Sequence, residues 1–202
     1  MFRSGLLVFI WILSGFAVSA QSEELSLSDR MYGLKSLAGR FIQAQFDESG
    51  SVLGEQEGRF QIVTPGKIRW ETIEPMPQLL ISDGGRYWLY DPDLEQVTTG
   101  AIDGTLQMAP AILFSGAPER LYEEYDIQQL SDGHFQLLPK QENPLFKKLE
   151  LTFLENNLVG LSMLDHMEQR TAFELLETEQ NLVIQSDLFT FEIPQGTDVV
   201  YQ

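Results

Sequence analysis

Residues 64–97, TPGKIRWETIEPMPQLLISDGGRYWLYDPDLEQV, decide the fold class. Pro65-Gly66 opens a strand, Gln78 to Ile81 reads as a second, and Asp83-Gly84-Gly85 turns the chain into a third. Side chains alternate across a strand, so Ile68 and Trp70 share one face while Lys67, Arg69 and Glu71 share the other. Trp88 and Tyr90 likewise lie together on the third strand. The stretch offers large rings on a sheet surface and no catalytic constellation. It points to a protein that holds something greasy.

Outward from this stretch, strand signals dominate. Phe41 to Phe46 places Ile42, Ala44 and Phe46 on one face, and Gly58 to Val63 places Phe60 and Ile62 together. Gln96 to Ile102 predicts a further short strand. Tyr125 and Ile127, Phe135 and Leu137, then Leu149, Leu151 and Phe153 alternate with polar neighbours, and Asn156-Asn157 predicts a hairpin. Leu161 and Met163, then Thr171, Phe173 and Leu175, then Phe189, Phe191 and Ile193 continue the pattern to the C-terminus. About ten or eleven short strands, closely punctuated by turns, predict an antiparallel barrel or strongly curved sheet with one apolar and one wet face.

Helical signals are few. Ser26 to Asp29 reads as a helix start, and Leu27, Met31, Leu34 and Leu37 predict an amphipathic helix to about Ala38, stopped by Gly39. Residues 106–114 are almost wholly apolar, with Leu106, Met108, Ile112, Leu113 and Phe114. A short helix apolar all round must be buried or must cover something. A third helical turn is predicted over 118–124.

Residues 1–20 stand apart. Arg3, an apolar core from Leu6 to Phe16, and Val18-Ser19-Ala20 before Gln21 have the pattern of a secretory signal peptide. The division expected is a signal peptide over 1–20 and one domain over 21–202. The chain has 202 residues, 13 basic against 30 acidic, for a net charge of −17. Arg3 is the only charge in the first 20 residues, so the remainder carries −18. Such a balance disfavours nucleic acid and gives no polybasic attraction to anionic lipid. It keeps a carrier of greasy cargo soluble, or reflects a salty habitat. There is no cysteine, hence no disulfide and no cysteine-borne lipid anchor.

Catalytic patterns are missing. The chain has neither a His-Glu-x-x-His helix nor a Gly-x-Ser-x-Gly elbow, and no phosphate-cradling glycine motif. His134 and His166 fall near predicted turns. Asp91-Pro92-Asp93 reads as a proline-centred turn in preference to a metal pair. No metal or cofactor is expected. Large rings on successive strands under an apolar helix point to an apolar cavity.

Several motifs carry a resemblance: Pro65-Gly66-x-x-Arg69-Trp70, Leu80-Ile81-Ser82-Asp83-Gly84, Trp88-Leu89-Tyr90-Asp91-Pro92 and Pro110-Ala111-Ile112-Leu113-Phe114-Ser115-Gly116. Leu138-Pro139-Lys140 and Phe189-Thr190-Phe191-x-x-Pro194-x-Gly196-x-Asp198-Val199 complete the set. In this order they resemble the periplasmic outer-membrane lipoprotein carrier (LolA) family along the whole chain after residue 20. The resemblance implies a mainly β fold with few helices (α+β): an incomplete, strongly curved antiparallel barrel with a helical lid over a hydrophobic cavity.

It also implies a monomeric periplasmic carrier without covalent chemistry. Such carriers take lipoprotein acyl chains from an inner-membrane ATP-driven releasing complex and pass them to an outer-membrane receptor. The alternative is a periplasmic lipid- or lipoprotein-sensing regulatory domain on a similar half-barrel. The lining expected is Phe46, Phe60, Ile62, Ile68, Trp70, Leu79, Ile81, Trp88, Tyr90, Phe153 and Met163. Leu106, Met108, Ile112, Leu113 and Phe114 are the expected lid. Many members of the family carry a basic residue before the proline equivalent to Pro65, where it helps hold the lid shut. Here that residue is Thr64. Either Lys67 or Arg69 takes the role, or the lid is held more loosely.

Overall fold

The fold is a single twelve-stranded sheet that curls around one apolar face, seen in a computed structural model. The structure describes residues 26–102, 111–114, 119–142, 144 and 146–202. In chain order the elements are α1 (Leu27–Gly33), β1 (Ser36–Phe46), β2 (Val52–Val63), β3 (Lys67–Glu74), β4 (Gln78–Asp83), β5 (Arg86–Asp91) and β6 (Gln96–Ala101). There follow α2 (Ala111–Phe114), α3 (Arg120–Glu124), β7 (Tyr125–Ser131), β8 (His134–Pro139), β9 (Lys148–Leu154), β10 (Asn157–Leu164) and β11 (Arg170–Gln180). A 3-10 turn (Ser186–Phe189) and β12 (Asp198–Tyr201) end the chain.

The strand order is β12-β6-β5-β4-β3-β2-β1-β11-β10-β9-β8-β7. Neighbours are antiparallel except β12, which pairs parallel to β6 through Asp198 opposite Gln96 and Tyr201 opposite Thr99. The expected antiparallel, strongly curved sheet is therefore present, with a parallel strand added at one edge. β1 lies near the middle of this order, between β2 and β11.

Glycines set against rings make the bend at β1 and β2. Gly39 lies opposite Phe60, and Phe41 opposite Gly58. A Cβ on Gly58 would stand 2.0 Å from the Glu71 carbonyl oxygen and 2.7 Å from the Phe41 ring. The ring therefore lies flat over bare backbone, as aromatic side chains do when they cover a strand glycine. Trp70 then stacks on Phe41 at 4.2 Å and on Phe60 at 5.1 Å, and meets Phe173 edge-on at 5.7 Å. β3 and β11 are three strand spacings apart, about 14 Å along a flat sheet. Side chains from strands so far apart converge because they point into a concave surface.

Two sequence expectations are corrected. The first helix ends at Gly33, not near Ala38, and Gly39 belongs to β1. Leu34 is already extended, its N–H donating to the Met31 carbonyl, while Leu37 is fully buried from a strand. The helical spacing is thus shared between two elements that bury the same face. The N-terminus is as read: Ser26 Oγ accepts from the Asp29 N–H, and the Asp29 carboxylate accepts from the Ser26 N–H, each at 3.3 Å. The second correction concerns the alternation Phe189, Phe191, Ile193. It forms no strand; Phe189 closes the 3-10 turn, and the last strand is β12.

Gly58→Ala is expected to cost about 1–3 kcal/mol, because backbone and a buried ring must both move. Gly54→Ala, where nothing lies within 4 Å of the added carbon, should leave stability almost unchanged. Urea unfolding midpoints of the two variants check this.

Candidate functional site

Pairing register separates the two faces of the sheet. Trp70 is opposite Leu80, and Leu80 is opposite Leu89. Phe60 is opposite Trp70 and Ile62 opposite Ile68. These side chains share the concave face with Leu37, Phe41, Phe173 and Leu175. Phe153, Leu151 and Phe135 extend it across β9 and β8, and half-buried Met163 packs against it. Phe60, Ile62, Ile68, Trp70, Phe153 and Met163 are therefore brought together.

The remaining expected lining residues are not. Ile81 is opposite Trp88 and Leu79 opposite Tyr90, on the face that carries Arg69 and Glu71. Trp88 and Tyr90 meet Phe191 at 6.4 Å and 5.7 Å, and Phe189 is buried in the 3-10 turn that lies against β3 and β4. Phe46 ends β1 in register with Arg170, whose guanidinium lies 4.1 Å over its ring. It shares the Ile42 and Ala44 side of β1 and stands apart from the concave cluster. The physical reason is that β4 is apolar on both faces and β5 aromatic on both, so neither strand reveals its phase. The expectation of one wet face fails here because the chain's own end covers the back of β3 to β5.

Helical segments close the concave face. α1 contributes Leu27, Met31 and Leu34 to the apolar cluster, and α2 contributes Leu113 and Phe114. The turn between β2 and β3 grips both. Thr64 Oγ1 donates to the Leu34 carbonyl at 2.9 Å and approaches that of Lys35 at 3.2 Å, and the Thr64 N–H donates to the Lys35 carbonyl at 3.0 Å. The Gly66 N–H donates to the Phe114 carbonyl at 2.7 Å. Thr64 thus holds the segment leaving α1, and backbone at Gly66 holds the end of α2. Arg69 lies on the outer face opposite Ile81, 3.8 Å from Glu71. Leu106 and Met108, and the side chain of Ile112, lie outside the described residues.

Arg30 is a residue that the sequence reading passed over. It projects from the apolar side of α1 and is 8% exposed. Its guanidinium lies 5.4 Å from the centre of the Phe153 ring and 5.9 Å from that of Phe135. It donates to the Glu155 carbonyl, to Asn156 Oδ1 at 3.3 Å and to Asp132 Oδ1 at 3.0 Å. One side chain so ties α1 to the β7–β8 and β9–β10 turns. The available signal was an arginine amid Leu27, Met31 and Leu34 at helical spacing.

Among the described residues, no group of His, Asp and Glu is arranged to hold a metal ion. Asp91 Oδ1 accepts from the Asp93 and Leu94 N–H groups at 3.1 Å, so Asp91-Pro92-Asp93 is a turn. His166 Nε2 lies 2.7 Å from the Pro144 carbonyl oxygen, and His134 stands 3.9 Å from Glu150 on the outer face. Burial opposes ionisation of Glu150, but the Lys148 ammonium at 2.8 Å, together with His134 and the Ser162 hydroxyl, outweighs it and holds the carboxyl below its usual range. Burial, with Glu124 adding to it, pushes the Tyr125 phenol up to about 12, leaving it neutral in ordinary conditions. What the arrangement offers is apolar contact beneath short helical segments.

Arg30→Met keeps the apolar bulk and removes every donor. Asp132 is largely exposed and regains water, but the Glu155 carbonyl loses its partner. The expected cost is about 1–3 kcal/mol. Amide exchange over residues 27–34 should quicken well beyond that in β2, as read by hydrogen-exchange mass spectrometry.

Comparison with known proteins places the chain. Residues 32–192 match the family described as outer membrane lipoprotein carrier protein LolA. The outer-membrane lipoprotein carrier protein of Pseudomonas aeruginosa (strain UCBPP-PA14) is 36% identical, over 96% of this chain and 97% of its own. That of Chromohalobacter salexigens is 39% identical, over 86% of this chain and 84% of its own. An uncharacterized conserved protein from Thermus thermophilus has a similar fold, with a TM-score of 0.51 at 14% identity, over 86% of this chain and 96% of its own. The family match across the sheet and the near full-length identity lead to one conclusion: the chain belongs to the LolA family of outer membrane lipoprotein carrier proteins.

Proposed function

We propose that this protein carries lipoproteins by their acyl chains, with the concave face as the binding surface. The observation that supports this most directly is the convergence of Phe41, Phe60, Ile68, Trp70 and Phe173 beneath two short helical segments. Family membership and the names of the full-length relatives agree with it. Burying a methylene contributes about 0.8 kcal/mol, so several long acyl chains in water cost tens of kcal/mol. Passage between two membranes therefore needs a carrier.

In the form described, the concave rings occupy one another. Cargo must replace the Trp70 stacking contacts and lift the segments held at Thr64, Gly66 and Arg30. That exchange sets the affinity: acyl contacts are gained while self-contacts are lost. A carrier tuned in this way releases its load to a receptor that binds more tightly. We propose an inner-membrane ATP-driven releasing complex as donor and an outer-membrane receptor as acceptor. Thr64, with the Gly66 backbone, is the proposed latch.

A triacylated lipoprotein, diluted out of detergent in the presence of the protein, should stay in solution as a complex visible by native mass spectrometry. The same lipoprotein without acyl chains should not be retained. Trp70→Glu should lose the complex and lower the unfolding midpoint, because an unpaired charge would stand where the chains pack and where the Phe41 and Phe60 rings stack. Equal retention of acylated and unacylated forms would overturn the reading.

We propose further that residues 1–20 direct export and are removed, leaving a periplasmic protein that begins at Gln21. N-terminal sequencing of the chain from a periplasmic extract should read Gln21-Ser22-Glu23. Recovery in washed membranes with Met1 intact would contradict this.

A further inference from the structure

The β1–β2 and β3–β4 turns stand side by side at one end of the sheet and expose large apolar side chains. Val52 and Leu53 are each 55% exposed, Ile73 46% and Met76 62%. Two depressions lie between them. One, of about 180 Å³, is lined by Leu53, Pro75 and Met76 with Gln43, Gln45 and Gln56. The other, of about 310 Å³, is lined by Ile42 and Pro75 with Glu55, Glu57 and Glu74. Glu57 lies 3.9 Å from Arg40, whereas Glu55 and Glu74 have no ion-pair partner among the described residues.

Neighbouring exposed apolar side chains, edged by charge, are the surface pattern of protein contact. Met76 adds an unbranched, adaptable side chain of the kind that accommodates varied partners. Charge decides among the occupants. A chain of net charge −17 repels a second copy of itself and an anionic membrane. Carboxylates beside an apolar groove instead favour apolar residues flanked by lysine or arginine, with the charges governing encounter and the groove retention.

We propose that these two turns form a docking rim for a basic, amphipathic segment of a partner protein. Its apolar side chains enter the groove between Leu53 and Met76, and its cations meet Glu55 and Glu74. The rim uses none of the residues assigned to acyl binding, so it does not depend on the carrier reading.

The test uses a labelled synthetic peptide of alternating leucine and lysine, with binding followed by fluorescence anisotropy at low and at physiological salt. The parent should bind saturably. Leu53→Ser/Met76→Ser leaves charge unchanged and should weaken binding about tenfold. Glu55→Gln/Glu74→Gln should weaken it and flatten its salt dependence. Glu179→Gln/Glu192→Gln, exposed carboxylates elsewhere, should leave it as in the parent. All substituted positions are at the surface, and equal unfolding midpoints confirm that each variant is folded.

The proposal is overturned if the parent shows no saturable binding, or if the two carboxylate pairs have equal effects, which marks diffuse attraction. Indifference to Leu53→Ser/Met76→Ser overturns it, as does displacement of the peptide by acyl cargo. Self-association, or sedimentation with phosphatidylglycerol vesicles, that disappears in Leu53→Ser/Met76→Ser also overturns it, by giving the rim another occupant. Retention of lipoprotein by the rim variants is a separate readout, so failure here is distinct from failure of the carrier reading.

Discussion

The stack of Trp70 between Phe41 and Phe60 is the contact on which the remainder of the structure turns. It requires Gly58 under Phe41 and Gly39 under Phe60, because a Cβ at either position would strike backbone. With those glycines the centre of the sheet bends, and rings from β1, β2, β3 and β11 meet in one place. Without them the same rings would stand apart on a flatter surface. Aromatic pairs at these separations are worth about 0.5–1.5 kcal/mol each beyond the area they bury. That is little beside the tens of kcal/mol that several acyl chains bring. The proposed exchange of self-contacts for cargo follows from that disproportion.

The back of the sheet makes such exchange feasible. Phe191 packs on Trp88 and Tyr90 of β5, the 3-10 turn that ends in buried Phe189 lies against β3 and β4, and β12 extends the edge at β6. The Tyr87 hydroxyl donates to Gln202 Oε1 at 3.0 Å, tying the chain end to the sheet. The strands are thus buttressed from outside by the C-terminal segment. α1 is held by Arg30 and by the Thr64 turn, and α2 by Gly66 and the burial of Leu113 and Phe114.

Much of this was legible in the sequence, and the misses have definite causes. Alternation at Phe60 and Ile62, and at Ile68 and Trp70, reported the apolar face correctly because polar neighbours marked the phase. Leu79-Leu80-Ile81 and Tyr87-Trp88-Leu89-Tyr90 carry no such marks, being apolar on both sides. Trp88 was therefore assigned to the wrong face, and only the register with Ile81 and Leu80 resolves it. Leu34 and Leu37 continued a helical spacing into a strand because both elements bury the same surface. The alternation of Phe189, Phe191 and Ile193 imitated a strand for the same reason: an irregular segment packed on a sheet also buries every second side chain. Arg30 escaped notice because its partners, Asp132 and the Glu155 carbonyl, lie more than a hundred residues away.

The most direct measurement is to load the protein with a lipoprotein whose acyl chains carry a photoreactive diazirine, irradiate, and map the labelled residues by mass spectrometry. The account predicts labels on concave residues, among them Ile68, Trp70 and Phe173, and none on Trp88, Tyr90 or Phe191. Labels concentrated on Trp88 and Phe191, with Trp70 unmarked, would mean that cargo lies on the other face of the sheet, and would contradict it.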